Sequence, residues 1–175
     1  MKILVINGPN LNFLGIRDRK IYGTQDYDYL IKLLNDKAAE LGIEIETWQS
    51  NHEGAIIDRL QAAYFEHERG ELDGLVINPG AYTHYSYAIR DALAPLDFPK
   101  YEVHISDIHS REDFRHVSVT LPECTKQIAG KGLEQACKDN EVIYSAVNTY
   151  DGKLTCKNVA DSFDCYEYTD VRTVC

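Results

Sequence analysis

The amino-acid sequence predicts an α/β protein with a parallel sheet that carries helices on both faces. Short, mostly apolar stretches alternate along most of the chain with longer stretches in which apolar residues recur at helical spacing. Residues 75–78 are almost wholly apolar, which is typical of a strand buried in a parallel sheet. A chain of 175 residues is long enough for one well-packed domain.

The first half of the chain provides two strands and two helices. Residues 2–7 predict the first strand, and residues 43–49 alternate in polarity as the second. Between them, Asp26 is placed to cap a helix that Gly42 closes. Apolar residues at helical spacing within 56–64 predict the second helix.

The second half continues the same alternation. After the strand at 75–78, apolar residues within 88–93 predict a third helix, and residues 101–105 predict the fourth strand. Residues 128–129 belong to a fifth strand, and a last helix is expected over 133–147.

The sequence changes character after residue 147. The segment 148–175 is polar and acidic, and Asp151-Gly152 predicts a tight hairpin turn. We therefore expect a folded domain at 1–147 and a C-terminal extension at 148–175. Five cysteines include no Cys-x-x-Cys pair, which argues against a zinc or redox motif and leaves free thiols or a disulfide within the extension as alternatives.

Composition and charge argue against several classes of function. With 28 acidic and 18 basic residues the net charge is −10, and no Lys/Arg cluster resembles a nucleic-acid footprint. No apolar run approaches the roughly 20 residues that span a bilayer. The N-terminal residues predict a strand rather than a signal peptide. We expect a cytoplasmic protein with neither nucleic acid nor a membrane as its partner.

The stretch 102–115 carries the clearest chemistry. Glu102 and His104 are two apart, so on a strand they point to the same face, where a carboxylate can fix the tautomer of an imidazole. Arg111 and Arg115 follow at a spacing of four. An acid–base imidazole followed by two guanidinium groups suits a small anionic or polyhydroxy substrate. The simpler alternative is a strand end followed by a solvated, charged loop.

Polar side chains follow three of the predicted strands. In a parallel sheet the carboxyl ends of the strands share one edge, where such folds bind ligands. The loop at 8–12 has a single glycine and a proline, so it does not resemble a phosphate cradle. The sequence therefore predicts one site at this edge. The polar residues concerned are Asn7, Asn10, Asn78, His84, His104 and Ser106.

The segment 14–23 has the composition of a mobile lid. It is charged, carries a glycine near each end and precedes a helix. Arg17 is near Tyr22 in sequence, and a guanidinium close to a phenol favours tyrosinate. The alternative is an ordinary surface loop with solvated charges.

Seven separated motifs, in order and with matching spacing, give the chain a family resemblance. The sequence resembles type II 3-dehydroquinate dehydratase from residue 1 to about residue 132. The motifs are residues 6–11, 22–23, 49–51, 77–84, 90–93, 102–106 and 111–115.

The resemblance implies a flavodoxin-like three-layer sandwich with a five-stranded parallel sheet, and a cofactor-free, metal-free hydro-lyase. The implied reaction is an anti elimination of water from 3-dehydroquinate, through an enolate, to give 3-dehydroshikimate. It serves shikimate and aromatic amino acid biosynthesis or quinate breakdown. The family assembles as trimers, usually four of them in a dodecamer.

The resemblance also implies the catalytic roles. Tyr22 matches the general base, and Arg17 matches the arginine that favours its ionised form. Asn10 matches the residue that helps to stabilise the enolate through an ordered water. His104 matches the acid that protonates the departing hydroxyl, and Glu102 orients it.

Six further residues match substrate-binding positions of the family. Three bind the carboxylate: Asn78 and the backbone at Ile105 and Ser106. His84 and Arg115 match hydroxyl contacts, and Asp91 matches a residue contributed across a subunit boundary.

The chain departs from the family pattern at three places. Asp107 stands where the family usually has Asn, beside the carboxylate-binding backbone. Val117 replaces a second histidine after His116, and the extension beyond residue 148 has no recognised counterpart.

Three other interpretations compete with this one. The first is a non-catalytic flavodoxin-like module that binds a nucleotide or flavin, although the loop at 8–12 lacks the glycines for it. The second is a metal-dependent hydrolase using His104, His109 and His116, whose spacing fits no familiar ligand set. The third is the Schiff-base route to the same reaction, whose barrel needs a longer chain.

Overall fold

Five parallel strands form the sheet of this protein. The structure is a computed structural model that describes residues 1–16 and 24–130. The sheet has the strand order β2-β1-β3-β4-β5, which is the flavodoxin-like order. The predicted five-stranded parallel sheet is therefore confirmed. Its strands are β1 (Lys2–Asn7), β2 (Glu44–Gln49), β3 (Gly74–Asn78), β4 (Lys100–His104) and β5 (Lys126–Ala129).

In the described part of the chain, three α-helices cover the two faces of the sheet. They are α1 (Tyr27–Leu41), α2 (Glu53–Glu68) and α3 (Tyr87–Leu93). As predicted, the Asp26 carboxylate accepts the Tyr29 N–H at 2.8 Å, and Gly42 ends α1 with a φ of 66°. Helix α2 contains all of the residues within 56–64 from which the second helix is predicted.

Successive residues of β1 point to opposite sides and so belong to two different cores. Ile3 and Val5 pack with Leu30 and Leu34 of α1. Leu4 and Ile6 pack in the second core, together with buried residues of α2 and α3. The alternation follows from the two-residue period of a strand, and it gives the three-layer arrangement that the sequence predicts.

The carboxyl ends of β1, β3 and β4 meet at one edge of the sheet. Asn7 is opposite Asn78 in the β1–β3 pairing, and β4 ends at His104. The loops after β1 and β3 touch each other, because a Cβ built on Gly8 would lie only 2.6 Å from the Pro79 carbonyl oxygen. Only glycine allows this approach.

Several predictions lie outside the described residues. They are Arg17 and Tyr22, the last helix at 133–147, and the division at residue 147 between domain and extension. Within the described part of the chain, no helix is both long and apolar enough to cross a membrane.

Candidate active site

A pocket opens at the carboxyl edge of the sheet, where the sequence predicts it. Seven predicted site residues line it: Asn10, Asn78, His84, His104, Ile105, Ser106 and Arg115. Asn7 is not among its lining residues; its buried amide lies 3.5 Å from the Tyr27 hydroxyl.

Glu102 and His104 form a hydrogen-bonded pair at the base of this pocket. The Nε2 atom of His104 lies 2.8 Å from Oε1 of Glu102, and both residues are buried. A carboxylate accepts a hydrogen bond, so the proton of this contact is on Nε2. Nδ1 is then the ring nitrogen available to a bound molecule.

Glu102 is fully buried, and each of its two carboxylate oxygens accepts two hydrogen bonds. Besides His104, Gln127 donates to Oε1, while Ser118 and Thr120 donate to Oε2. Burial raises the pKa of Glu102, but the hydrogen bond and charge of His104, with the hydrogen bonds of Thr120 and Gln127, outweigh it and lower the pKa below its ordinary value. Glu102 is therefore ionised at neutral pH.

Asn10 adopts an unusual backbone conformation in the loop after β1. Its φ of 65° is left-handed, a conformation that Asn tolerates better than most residues. The Asn10 N–H donates to Oδ1 of Asn51 at 2.8 Å, and this oxygen also accepts from Gln49 at 3.1 Å. The Tyr82 hydroxyl in turn donates to the Asn51 carbonyl at 3.0 Å. This Asn51 brace holds the loop that carries Asn10.

Asn78 ends β3 with its side chain fixed from one side. Its Oδ1 accepts the Gly80 N–H at 3.1 Å, and the residue is 6% exposed. The amide nitrogen remains as a donor for a bound molecule.

His84 presents a neutral imidazole to the pocket. Its Nδ1 lies 2.9 Å from the Val117 carbonyl oxygen, to which it donates. Burial lowers the pKa of His84, and the charge of Arg115 adds to this effect, whereas the Val117 carbonyl raises the pKa. Nε2 is therefore a hydrogen-bond acceptor at neutral pH, which suits a substrate hydroxyl.

Two arginines supply positive charge to the wall formed by the loop after β4. Arg115 lies 4.8 Å from the centre of the Phe114 ring and pairs with Glu112 at 2.9 Å. Arg111 also lines the pocket and lies 3.5 Å from Glu112. The site is thus locally basic in a chain of net charge −10.

The structure leaves Asp91 away from this pocket. Asp91 is exposed on α3 and does not line the site, unlike the other predicted substrate contacts.

Sequence reasoning missed the residues that support the site from a distance in the chain. Arg111 was noticeable from its spacing to Arg115, although only Arg115 was predicted as a substrate contact. Gln127 and Thr120 gave no usable pattern, because polar residues on an edge strand or in a loop look the same whether or not they face a buried carboxylate.

The pocket has a volume of about 80 Å³. Among residues 1–16 and 24–130, no group of three His, Cys, Asp or Glu side chains is placed to hold a metal ion.

Comparison with known proteins identifies a family model and close relatives that match the chain. A family model described as Dehydroquinase class II matches residues 1–137. A 3-dehydroquinate dehydratase of Lachnoclostridium phytofermentans is 66% identical over 134 residues, which are 77% of this chain and 90% of that relative. The relative of the same name from Lachnospira eligens is 60% identical over 135 residues, which are 77% and 89% of the two chains.

Solved structures agree with the sequence relatives. The crystal structure of a type II dehydroquinase from Butyrivibrio crossotus matches with a TM-score of 0.75 and 56% identity, over 85% of this chain and 96% of that one. A 3-dehydroquinate dehydratase-like protein from Bifidobacterium longum matches at 26% identity with a TM-score of 0.59, over 85% of this chain and 98% of that one.

Fold and site together define an α/β enzyme of the flavodoxin-like class, with a buried, hydrogen-bonded Glu102–His104 pair at the carboxyl edge of its sheet. The chain belongs to the class II dehydroquinase family. The resemblance inferred from the sequence motifs is thereby confirmed.

Proposed function

We propose that this chain is a hydro-lyase that converts 3-dehydroquinate to 3-dehydroshikimate and water. The observation that carries the proposal is the buried Glu102–His104 pair, which opens on a small, polar, locally basic pocket. Membership of the class II dehydroquinase family and relatives named 3-dehydroquinate dehydratase support it. Hydroxide is a poor leaving group, so the reaction needs an acid of this kind.

The proposed mechanism is an anti elimination in two steps. Tyr22, as the tyrosinate that Arg17 favours, takes a proton from the carbon beside the ketone and leaves an enolate. Asn10 stabilises the enolate through an ordered water. The enolate then re-forms the ketone and expels the hydroxyl as His104 gives it a proton, so that water leaves. Before the next turnover, Tyr22 gives its proton to solvent and His104 takes up a proton from solvent.

Glu102 has a positioning role in this mechanism. Its carboxylate binds the Nε2–H of His104, so Nδ1 is the atom that would deliver the proton to the leaving group. A fixed ring orientation and tautomer are what a general acid needs, and such an acid contributes on the order of 10²–10⁴ in rate.

The proposed substrate contacts divide between the two ends of a cyclic hydroxy acid. The Asn78 amide and the backbone N–H groups of Ile105 and Ser106 bind the carboxylate. His84 accepts from a hydroxyl through Nε2, and Arg115 donates to another. The locally basic wall supports this assignment, because the substrate is an anion.

A homo-oligomer, built from trimers and assembled as a dodecamer, belongs to the same proposal. Asp91 would then reach the pocket of a neighbouring subunit. Two tyrosines close to it on the chain, Tyr85 and Tyr87, are 59% and 61% exposed. Large exposed rings of this kind are typical of protein–protein contact surfaces.

The proposed location is the cytoplasm, where the thiol of Cys124 would stay reduced. The reaction would serve shikimate and chorismate formation or quinate breakdown.

The reaction itself is testable by ultraviolet absorbance. The product is a conjugated enone and absorbs where 3-dehydroquinate does not, so purified protein should produce a rising signal. Tyr22→Phe should abolish the rise while leaving the circular dichroism spectrum unchanged. A folded, assembled wild-type protein that gives no rise would contradict the proposed function.

Because of the Asn51 brace, we expect substitution of Asn51 to lower the reaction rate without unfolding the protein. Asn51→Ala removes the acceptor for the Asn10 N–H, so the left-handed loop is expected to relax and kcat to fall about tenfold. Asn51→Asp retains an acceptor oxygen and should keep most of the activity. Steady-state kinetics and thermal melting of both variants test this. Equal losses in the two variants would rule out the hydrogen bond as the cause.

Asp107 is expected to weaken substrate binding slightly. Its carboxylate accepts the His109 N–H at 2.9 Å and caps the turn Ile108–Ser110, a bond that an Asn side chain can also accept. Asp107→Asn should leave kcat similar and should not raise KM, because a negative charge beside the carboxylate subsite is removed. The electrostatic effect of this substitution on KM should shrink with added salt. A higher KM would count against the idea.

A further inference from the structure

Gln127 connects the edge strand β5 to the acid–base pair. Strands β4 and β5 pair in parallel with Glu102 opposite Gln127, so the two side chains leave the sheet on the same face. The amide nitrogen of Gln127 lies 2.5 Å from Oε1 of Glu102. The same oxygen accepts the Nε2–H of His104 at 2.8 Å.

We propose that Gln127 is a positioning residue that keeps Glu102 ionised and oriented and, through Glu102, sets the ring of His104. The proposal rests on the proposed function and deepens it, since it concerns the same site. Glu102 has 0% exposure, so no solvent stabilises its charge. Its ionised form depends on the donors that surround it.

The three supporting donors are not equivalent. Ser118 and Thr120 contact Oε2 through hydroxyl groups. A hydroxyl can rotate and accept a hydrogen bond from a protonated carboxyl, whereas an amide nitrogen only donates. In the orientation that the structure has, Gln127 therefore favours the ionised state of Glu102, while the two hydroxyls serve either state.

Among the described residues, titratable groups on three surrounding elements interact electrostatically with Glu102. They are His104 on its own strand, His84 in the turn after β3, and Cys124 near the start of β5. Burial raises the pKa of Cys124 to about 12, and burial lowers the pKa of His84. Both are neutral near pH 7, and His104 is the group in direct hydrogen-bond contact with Glu102.

Two substitutions at one position separate this role from simple packing. Gln127→Met fills a similar volume without a donor, and Gln127→Glu keeps the shape but replaces the donor with a second acid. Both substitutions should raise the pKa of Glu102. The acidic limb of the pH–activity profile should therefore move to higher pH, by about one pH unit in Gln127→Met and by more in Gln127→Glu. If Gln127 only filled space, Gln127→Met should instead be the more harmful of the two variants, because Glu has the shape of Gln. Lys126→Met, at an exposed position on the opposite face of the same strand, is the matched control and should match wild type.

The steady-state constants provide a second criterion. Gln127 does not line the pocket, so Gln127→Met should lower kcat about tenfold and change KM by less than about twofold. Melting temperatures show whether each variant is folded. An unshifted acid limb in a folded Gln127→Met protein, or a loss confined to KM, would overturn the proposal.

A measurement without turnover keeps this proposal separate from the proposed function. Infrared difference spectra between two pH values detect the protonated carboxyl band of Glu102, which is identified by its loss in Glu102→Gln. That band should appear at higher pH in Gln127→Met than in wild type. If wild type fails to convert 3-dehydroquinate but the band still moves, only the reaction is wrong. If wild type is active and the band does not move, the role of Gln127 is wrong.

Discussion

Replacement of His104 by Gln is expected to lower kcat by about 10²–10⁴-fold, the usual contribution of a general acid. His104 is buried at the base of the pocket, with Nε2 bound to Glu102 and Nδ1 left for the substrate. A glutamine amide is similar in reach and can hydrogen-bond with Glu102, but it cannot give a proton to a departing hydroxyl. The loss should therefore appear in kcat, with KM changed by less than about threefold.

The measurement is the initial rate of enone formation at saturating and at low 3-dehydroquinate. His52→Gln is a matched control, because His52 is exposed at the start of α2 and its side chain makes no capping hydrogen bond. It should retain wild-type kinetics. If His104→Gln retained kcat within about threefold of wild type, His104 could not be the acid, and another group would have to protonate the leaving hydroxyl.

The fold was predictable because each helix and strand leaves a pattern that is local in sequence: apolar spacing and, for the helices, residues at the ends. Asp26 caps α1 only three residues from the N–H that it binds, and Gly42 ends the same helix. The Glu102–His104 pair was predictable for the same reason. A strand places residues two apart on one face, and no other part of the chain is needed to bring them together.

The supporting shell of the site was not predictable, because its contacts link distant parts of the chain. Asn51 binds the Asn10 N–H across 41 positions, and Gln127 binds Glu102 across 25. The identity of a polar residue does not indicate whether its side chain will bind water or a buried carboxylate. The positive φ of Asn10 is hidden in the same way, since Asn also occurs in ordinary turns.

The contact between the loops after β1 and β3 explains how two separate loops form one wall of the pocket. The Gly8 N–H donates to the Asn78 carbonyl at 2.8 Å, and the Gly80 N–H binds the side chain of Asn78 at 3.1 Å. Gly8 thus lies between Asn10 and Asn78, two residues with proposed roles at the enolate and at the carboxylate. Any group that separates these loops would disturb both ends of the substrate.

Gly8→Ala is accordingly expected to be harmful to both stability and activity. The added Cβ would lie 2.6 Å from the Pro79 oxygen and 2.8 Å from the Asn78 oxygen, and both are backbone atoms that cannot rotate away. Overpacking of this kind costs about 1–3 kcal/mol, which corresponds to a fall in melting temperature of roughly 2–12 °C for a chain of this size. Displacement of the two loops should lower kcat by about 10- to 100-fold.

Gly54→Ala supplies the matched control, since the same methyl group added in the first turn of α2 meets nothing within 4 Å. That variant should be as active as wild type and more stable by about 0.5–1 kcal/mol, because alanine loses less backbone freedom in a helix than glycine. Thermal melting and steady-state kinetics on the two variants separate a general effect of removing a glycine from the specific contact at the pocket. A Gly8→Ala protein that melts with wild type and turns over at the wild-type rate would show that the two loops can move apart without consequence, and the rigid wall formed by Gly8 and Pro79 would then have no role in binding the substrate.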